Sequence, residues 1–262
     1  MGPKPQQTPH QPLGTLKMTE RETSDSQPFM AHLLELRNRL LRTFIAVLII
    51  FAGLFPFSEQ LYLYISEPLR AFLPASSTMI ATEIASPFLT PFKLTLVMSV
   101  FISMPYILYQ LWAFVAPALY RQEKKIALPL FFSSVILFYG GMAFAYYVVF
   151  PLVFMFFTSV APQGISVMPD IRAYLDFVLK LFFAFGLSFE IPIAVVILSW
   201  MGTVDPNNLA KKRPYVFVLC FVLGMLLTPP DIISQALLAI PMWLLFEIGI
   251  LFGRLVGNKS QG

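Results

Sequence analysis

Six apolar runs decide what this chain can fold into, because hydrocarbon offers no partner to a backbone N–H or C=O and so permits only helices or closed barrels. A bilayer core about 30 Å thick takes about 20 helical residues to cross. The runs lie at Leu40 to Phe57, Leu94 to Val115, Ile126 to Phe150, Tyr174 to Trp200, Tyr215 to Leu227 and Ile232 to Phe252. With 57% hydrophobic residues and only 12% charged ones, the chain lies outside the range of soluble globular domains. The expected fold is all-α: a polytopic membrane protein with six transmembrane helices.

Charge gives the expected orientation. Lys and Arg flanking the first span on its N-terminal side (Lys4, Lys17, Arg21, Arg37, Arg39, Arg42), in the second loop (Arg121, Lys124, Lys125), in the fourth (Lys211, Lys212, Arg213) and at the C-terminus (Arg254, Lys259) number fourteen. The opposite side holds four: Arg70, Lys93, Arg172 and Lys180. The positive-inside rule then predicts both termini in the cytoplasm. A net charge of +4 is explained by that asymmetry and calls for no nucleic acid.

Outside the spans, residues 1–29 are rich in Pro, Gln, Ser and Thr and read as a disordered tail. No apolar core follows the early positive charges, so the sequence predicts no cleaved signal peptide there. Residues 30–254 form the expected membrane domain, and 255–262 a short cytoplasmic tail. The first external segment, Ser58 to Lys93, carries Pro68, Pro74, Pro87 and Pro91 and reads as short helices at the outer interface. The fifth run is thirteen residues, about 20 Å of helix, and a turn at Thr228, Pro229, Pro230 and Asp231 joins it to the sixth as a short hairpin. That shortness implies a locally thinned bilayer, and Asp231 reads as the N-cap of the last helix.

Three acids stand out. In AHLLELRNRLLRT, Leu33, Leu36 and Leu40 share one helical face while Glu35, Arg39 and Arg42 share another; a plain interfacial anchor with Glu35 and Arg39 paired is one reading of it. Glu123 sits among Arg121, Lys124 and Lys125, where an acid is not needed to anchor topology. A surface carboxylate there can accept a guanidinium through two parallel hydrogen bonds, or simply be solvated. Glu190, in GLSFEIPIA, is deep in a span, where an ionised carboxylate costs several kcal/mol and usually marks function. Pro192 lacks the N–H that would serve the carbonyl of Ser188 and is expected to open the helix beside the acid. The alternative is a protonated acid satisfied within its own bundle. Lys180, inside the fourth span, either snorkels outward to the external interface or pairs with Asp176 at i−4, the pairing being the expected one. The lone Cys220, the isolated His32 and the absence of a phosphate loop or of a nucleophile with its base argue against a metal site, a cofactor and catalysis.

HLLELRNRL, STMIATEIASPF, LYQLWAFVAPALY followed by an acid and bases, FYGGMAFAYYVVFP, FGLSFEIP, KKRPY and GMLLTPPDIISQ run in that order. From about Met30 to Arg254 the chain thereby resembles the TatC family, the six-span component of the twin-arginine protein translocase. The resemblance implies a glove-like, concave bundle in the bacterial inner membrane. It implies a receptor for twin-arginine signal peptides of folded cargo, read by Glu35 and Glu123, with Leu36, Arg37 and Phe114 in the same surface and Pro68 shaping the external cap. It further implies that Glu190 and Gln235 meet TatB-like and TatA-like single-span partners, that further copies of the chain assemble with it, and that the proton-motive force drives transport. From the residues alone, the competing function is a proton- or ion-coupled small-molecule transporter using Glu190. That reading expects several ionisable groups on facing spans and often an internal repeat, and neither is visible here.

Overall fold

A computed structural model describes residue 2 and residues 13–70, 79–115, 124–160, 168–228 and 231–257; at 13–32, 68–69, 115, 124–127 and 256–257 it describes backbone only. The chain divides into two compact units, 1–45 and 46–262, each considered by itself.

Apart from an isolated parallel bridge between Ile80 and Asp170, the regular elements among the described residues are helices. In order they are α1 (Leu13–Leu54), a 3-10 turn (Phe55–Phe57), α2 (Ser58–Arg70), α3 (Ser86–Ile102), α4 (Met104–Val115), α5 (Lys124–Phe144), a π-helical turn (Ala145–Val149), α6 (Phe150–Ser159), α7 (Ile171–Trp200), α8 (Pro206–Lys211), α9 (Arg213–Leu227) and α10 (Ile232–Gly257). Four segments are long and apolar enough to cross a membrane: Leu33–Glu67, Leu128–Ser159, Ile171–Trp200 and Ile232–Leu255. The pair α3 and α4, bent by 48°, makes a fifth if taken as one span. The fifth apolar run of the sequence is α9, a helix of 15 residues. All six runs are thus helices, and the short one is short for the reason the sequence shows: TPPD follows it directly.

Prolines account for the breaks. Pro105 has no N–H for the carbonyl of Phe101, four residues back. The helix bends at Ser103, and the hydroxyl of Tyr139 on α5 donates to that same carbonyl at 2.9 Å. Pro151 crowds the carbonyl four residues before it, Tyr147, and the backbone widens there into the π-turn Ala145–Val149. Pro192 behaves differently: α7 runs unbroken through it, and Gly249 of α10 lies so close that a Cβ there would be 3.1 Å from the Pro192 Cα.

Within the second unit, α7 is packed between α5 and α10. Phe138, Phe150, Leu175, Leu181 and Phe185 are fully buried in the core. Lipid tails are as apolar as these side chains, so close fit rather than water exclusion holds such helices together. Two glycines permit that fit. A Cβ on Gly141 would lie 2.5 Å from the carbonyl oxygen of Phe185, and one on Gly186 would lie 2.7 Å from the Phe138 ring. The FYGG and FGLSFE motifs therefore interlock, each glycine receiving its partner's phenylalanine position.

Along α3 and its C-cap Ser103, three buried hydroxyls are satisfied, whereas Ser86 Oγ and Thr90 Oγ1 nearer the helix start have no partner among the described residues. Thr95 Oγ1 donates to Pro91 O at 2.8 Å, Ser99 Oγ to Thr95 O at 2.6 Å and Ser103 Oγ to Ser99 O at 2.6 Å, each returning to its own helix backbone.

Candidate functional site

On the first unit, Glu35 lies on α1 with its side chain 41% exposed. Its Oε1 accepts from Arg39 Nη2 at 2.6 Å and from Arg39 Nε at 3.0 Å. The i, i+4 spacing puts the two side chains over one another on the helix surface. An i, i+4 pair on a helix surface contributes about 0.3–0.5 kcal/mol. Leu36 and Arg37 beside it are exposed. Phe114, at the end of α4 in the second unit, is half-buried. Glu123 lies outside the described residues, and for Pro68 only the α2 backbone is described.

Glu190 projects from α7 toward α5, where Ser134 Oγ donates to its Oε2. The other carboxyl oxygen, Oε1, is buried and has no hydrogen-bond partner among the described residues. A buried acceptor left unpaired costs about 1–3 kcal/mol. Ser134 was not singled out by the sequence reading. A usable signal existed: Ser134, Phe138, Gly141 and Ala145 follow the helical i, i+4, i+7, i+11 spacing, and Phe138, Gly141 and Ala145 are core positions against α7.

Near the opposite ends of α3 and α7 from the Glu190 level, the expected pairing of Lys180 with Asp176 does not form. Asp176 Oδ1 accepts instead from Lys93 Nζ of α3 at 2.6 Å. Lys180 makes no ion pair among the described residues. Its own-helix spacing was adequate, but the fold brings Lys93 of α3 against the same carboxylate, which pairs with it instead.

The start of α7 is fixed by a second set of contacts. Asp170 caps the helix, Oδ1 accepting from the amides of Arg172 and Ala173 at 2.9 Å each. Its Oδ2 accepts from the Thr82 amide at 3.0 Å and from the Thr82 hydroxyl at 2.7 Å. These donors, the Ala173 amide foremost and then Thr82, hold the Asp170 carboxyl well below the usual carboxylate range, at about 2. Arg172 pairs with Glu83 alongside, so residues 80–83 are clamped to the head of α7.

In the last hairpin, Asp231 Oδ1 accepts from the Ser234 amide at 2.7 Å, capping α10. Arg213, at the start of α9, donates to Glu247 of α10 at 2.7 Å, a contact the sequence did not reveal. Gln235 is half-buried and lines a groove of about 300 Å³ with Phe217, Phe221 and Met225.

Residues 31–241 match the family model for the Sec-independent protein translocase protein, TatC. The chain belongs to the TatC family. It is 60% identical to the TatC of Azotobacter chroococcum over 93% of this chain and 96% of that one. Against the TatC of Escherichia coli strain K12 the identity is 57%, over 90% and 92% of the two chains. The fold is similar to a crystal structure described as the twin arginine translocase receptor TatC, with a TM-score of 0.78, 37% identity, and coverage of 86% of this chain and 99% of that chain. As a TatC family member the chain is a multi-pass membrane component of a protein translocase and not an enzyme. Family membership displaces the small-molecule transporter reading of Glu190.

Proposed function

We propose that this chain is the receptor and core subunit of a twin-arginine translocase in the bacterial inner membrane, crossing it six times with both termini cytoplasmic. The carrying observation is that Glu35 already holds a guanidinium at an exposed helix surface through two nitrogens of Arg39. A twin-arginine signal peptide supplies the same group, permanently charged and planar, to the same carboxylate. Glu123, Leu36, Arg37 and Phe114 are each proposed to contact the peptide, Glu123 as the second carboxylate. The unpartnered Oε1 of Glu190 and the Gln235 groove serve TatB-like and TatA-like single-span helices. Further copies of the chain join the assembly, and the proton-motive force drives folded cargo across.

Binding of a twin-arginine peptide to the detergent-solubilised complex tests the reading. Glu35→Ala and Glu123→Ala are each expected to weaken it by about tenfold, as loss of a charge-assisted hydrogen bond implies; a Lys-Lys peptide is expected to bind the unaltered protein poorly. Unchanged affinity in both variants would refute the recognition model. Glu190→Ala is expected to leave peptide binding intact while impairing export. A photocrosslinker placed at position 123 reports whether the Arg-Arg segment lies there.

A further inference from the structure

A groove of about 660 Å³ runs along α7 between α3, α9 and α10. Its one end holds Lys93, Asp176 and Lys180; the rest is apolar except for Ser188, lined by residues such as Val97, Phe183, Leu187, Ile191 and Leu223. Since Lys93 is paired with Asp176 at 2.6 Å, the three charges leave one positive charge in excess. That charge is the exposed ammonium of Lys180.

The depth of this charge follows from helix geometry. As a helix of 30 residues, α7 is about 45 Å long and reaches through both headgroup layers of a bilayer about 40–45 Å thick. Asp176 lies about 8 Å from the start of α7, at the boundary between headgroups and hydrocarbon, and Lys180 one turn deeper. The Cα–Cβ bonds of a helix tilt toward its N-terminus, and a lysine stem lies along apolar surface while its head rises to the interface. The Lys180 ammonium therefore stands at phosphate depth, with an apolar trough running inward beneath it.

We propose that this groove is a binding site for an anionic phospholipid, the phosphate held by Lys180 and one acyl chain lying along α7 past Leu187 to Ile191. Charge and polarity both match: the ligand has an anion at one end and hydrocarbon along the rest, as the groove has a cation at one end and apolar lining along the rest. A bound lipid also shields Lys180 without breaking the Lys93–Asp176 pair.

Native mass spectrometry of the purified full chain, with phosphatidylglycerol and phosphatidylcholine of equal chain length added in turn, tests the proposal. The unaltered protein is expected to retain phosphatidylglycerol about fivefold better, the factor expected from one lysine at an anionic headgroup. Lys180→Gln is expected to abolish that preference and Lys180→Arg to keep it. Ala184→Phe, which fills the trough, is expected to lower retention of both lipids. Equal retention of the two lipids by the unaltered protein, or an undiminished preference in a folded Lys180→Gln variant, overturns the proposal. So does a photocrosslinker at Leu187 that captures a protein rather than a lipid in native membranes.

Discussion

Ser134 on α5 and Glu190 on α7 share a hydrogen bond across the helix interface, the hydroxyl donating to Oε2. The intramembrane acid is therefore tied at one oxygen and open at the other, where Oε1 is buried and unpaired. One bond fixes the side chain's direction and leaves the second oxygen without a donor among the described residues.

That division predicts a measurable coupling. Ser134→Ala removes the donor and leaves Oε2 without it, for a loss of about 1–2 kcal/mol. Glu190→Ala removes the acceptor and the bond together. In a thermal-unfolding cycle in detergent, the double variant is expected to be clearly less destabilised than the sum of the singles. Purely additive shifts would show that the two side chains do not act as a pair.

Gly140 and Gly141 are neighbours with opposite surroundings, and they test the packing directly. A Cβ at 141 would meet the Phe185 backbone carbonyl at 2.5 Å, whereas one at 140 meets nothing within 4 Å. Gly141→Ala is expected to cost about 1–3 kcal/mol through forced separation of α5 and α7. Gly140→Ala is expected to be neutral or to stabilise by up to about 1 kcal/mol through helix propensity. Equal effects at the two positions, read as unfolding midpoints in detergent, would contradict the close approach.

How far the sequence carries depends on whether a feature is local. Apolar runs become helices because each residue's backbone partner lies four residues away, so the six runs and the short α9 are legible directly. Asp231 is legible too, since an N-cap concerns only its own following turn. Glu190 stands out by the cost of its charge alone. What links residues on different helices is not local. Asp176 offers Lys180 a partner by spacing, yet Lys93, 83 residues earlier, takes it. The Ser134 donor, the Arg213–Glu247 pair and the Thr82 clamp on Asp170 likewise join segments whose adjacency only the folded chain supplies. The prolines are intermediate: Pro105, Pro151 and Pro192 are all visible in the sequence, but only packing decides that the first bends, the second widens and the third is carried straight through.

The bend at Ser103 gives its own test. Tyr139 donates to the Phe101 carbonyl at 2.9 Å, supplying the bond that Pro105 cannot. Tyr139→Phe keeps the ring and loses only the hydroxyl, for an expected cost of about 0.6–1.5 kcal/mol, the range for such bonds between membrane helices. With Pro105→Ala in place, an amide is available to Phe101 and the same Tyr139→Phe change is expected to cost less. An unchanged cost in both backgrounds would mean that the hydroxyl contributes through something other than the orphaned carbonyl.

The Asp170 clamp predicts a pH dependence with a definite sign. Its carboxyl is held near 2, below the ordinary value of 3.8, by donors that favour the ionised form. A lowered carboxylate pKa means that the unfolded chain binds the proton first, so the contribution is fully present above about 4 and is lost as pH falls toward about 2. Asp170→Asn preserves a competent N-cap but has no charge to titrate, which isolates the effect from the other acids of the chain. Thermal midpoints of the two proteins in detergent are expected to differ most above pH 4 and to converge as pH approaches 2. A gap that stays constant across that window would show that the Thr82 and Ala173 donors do not hold an ionised Asp170. A converging gap also ties Thr82 to the head of α7 energetically, because two of the donors that set the titration come from it, 88 residues away along the chain.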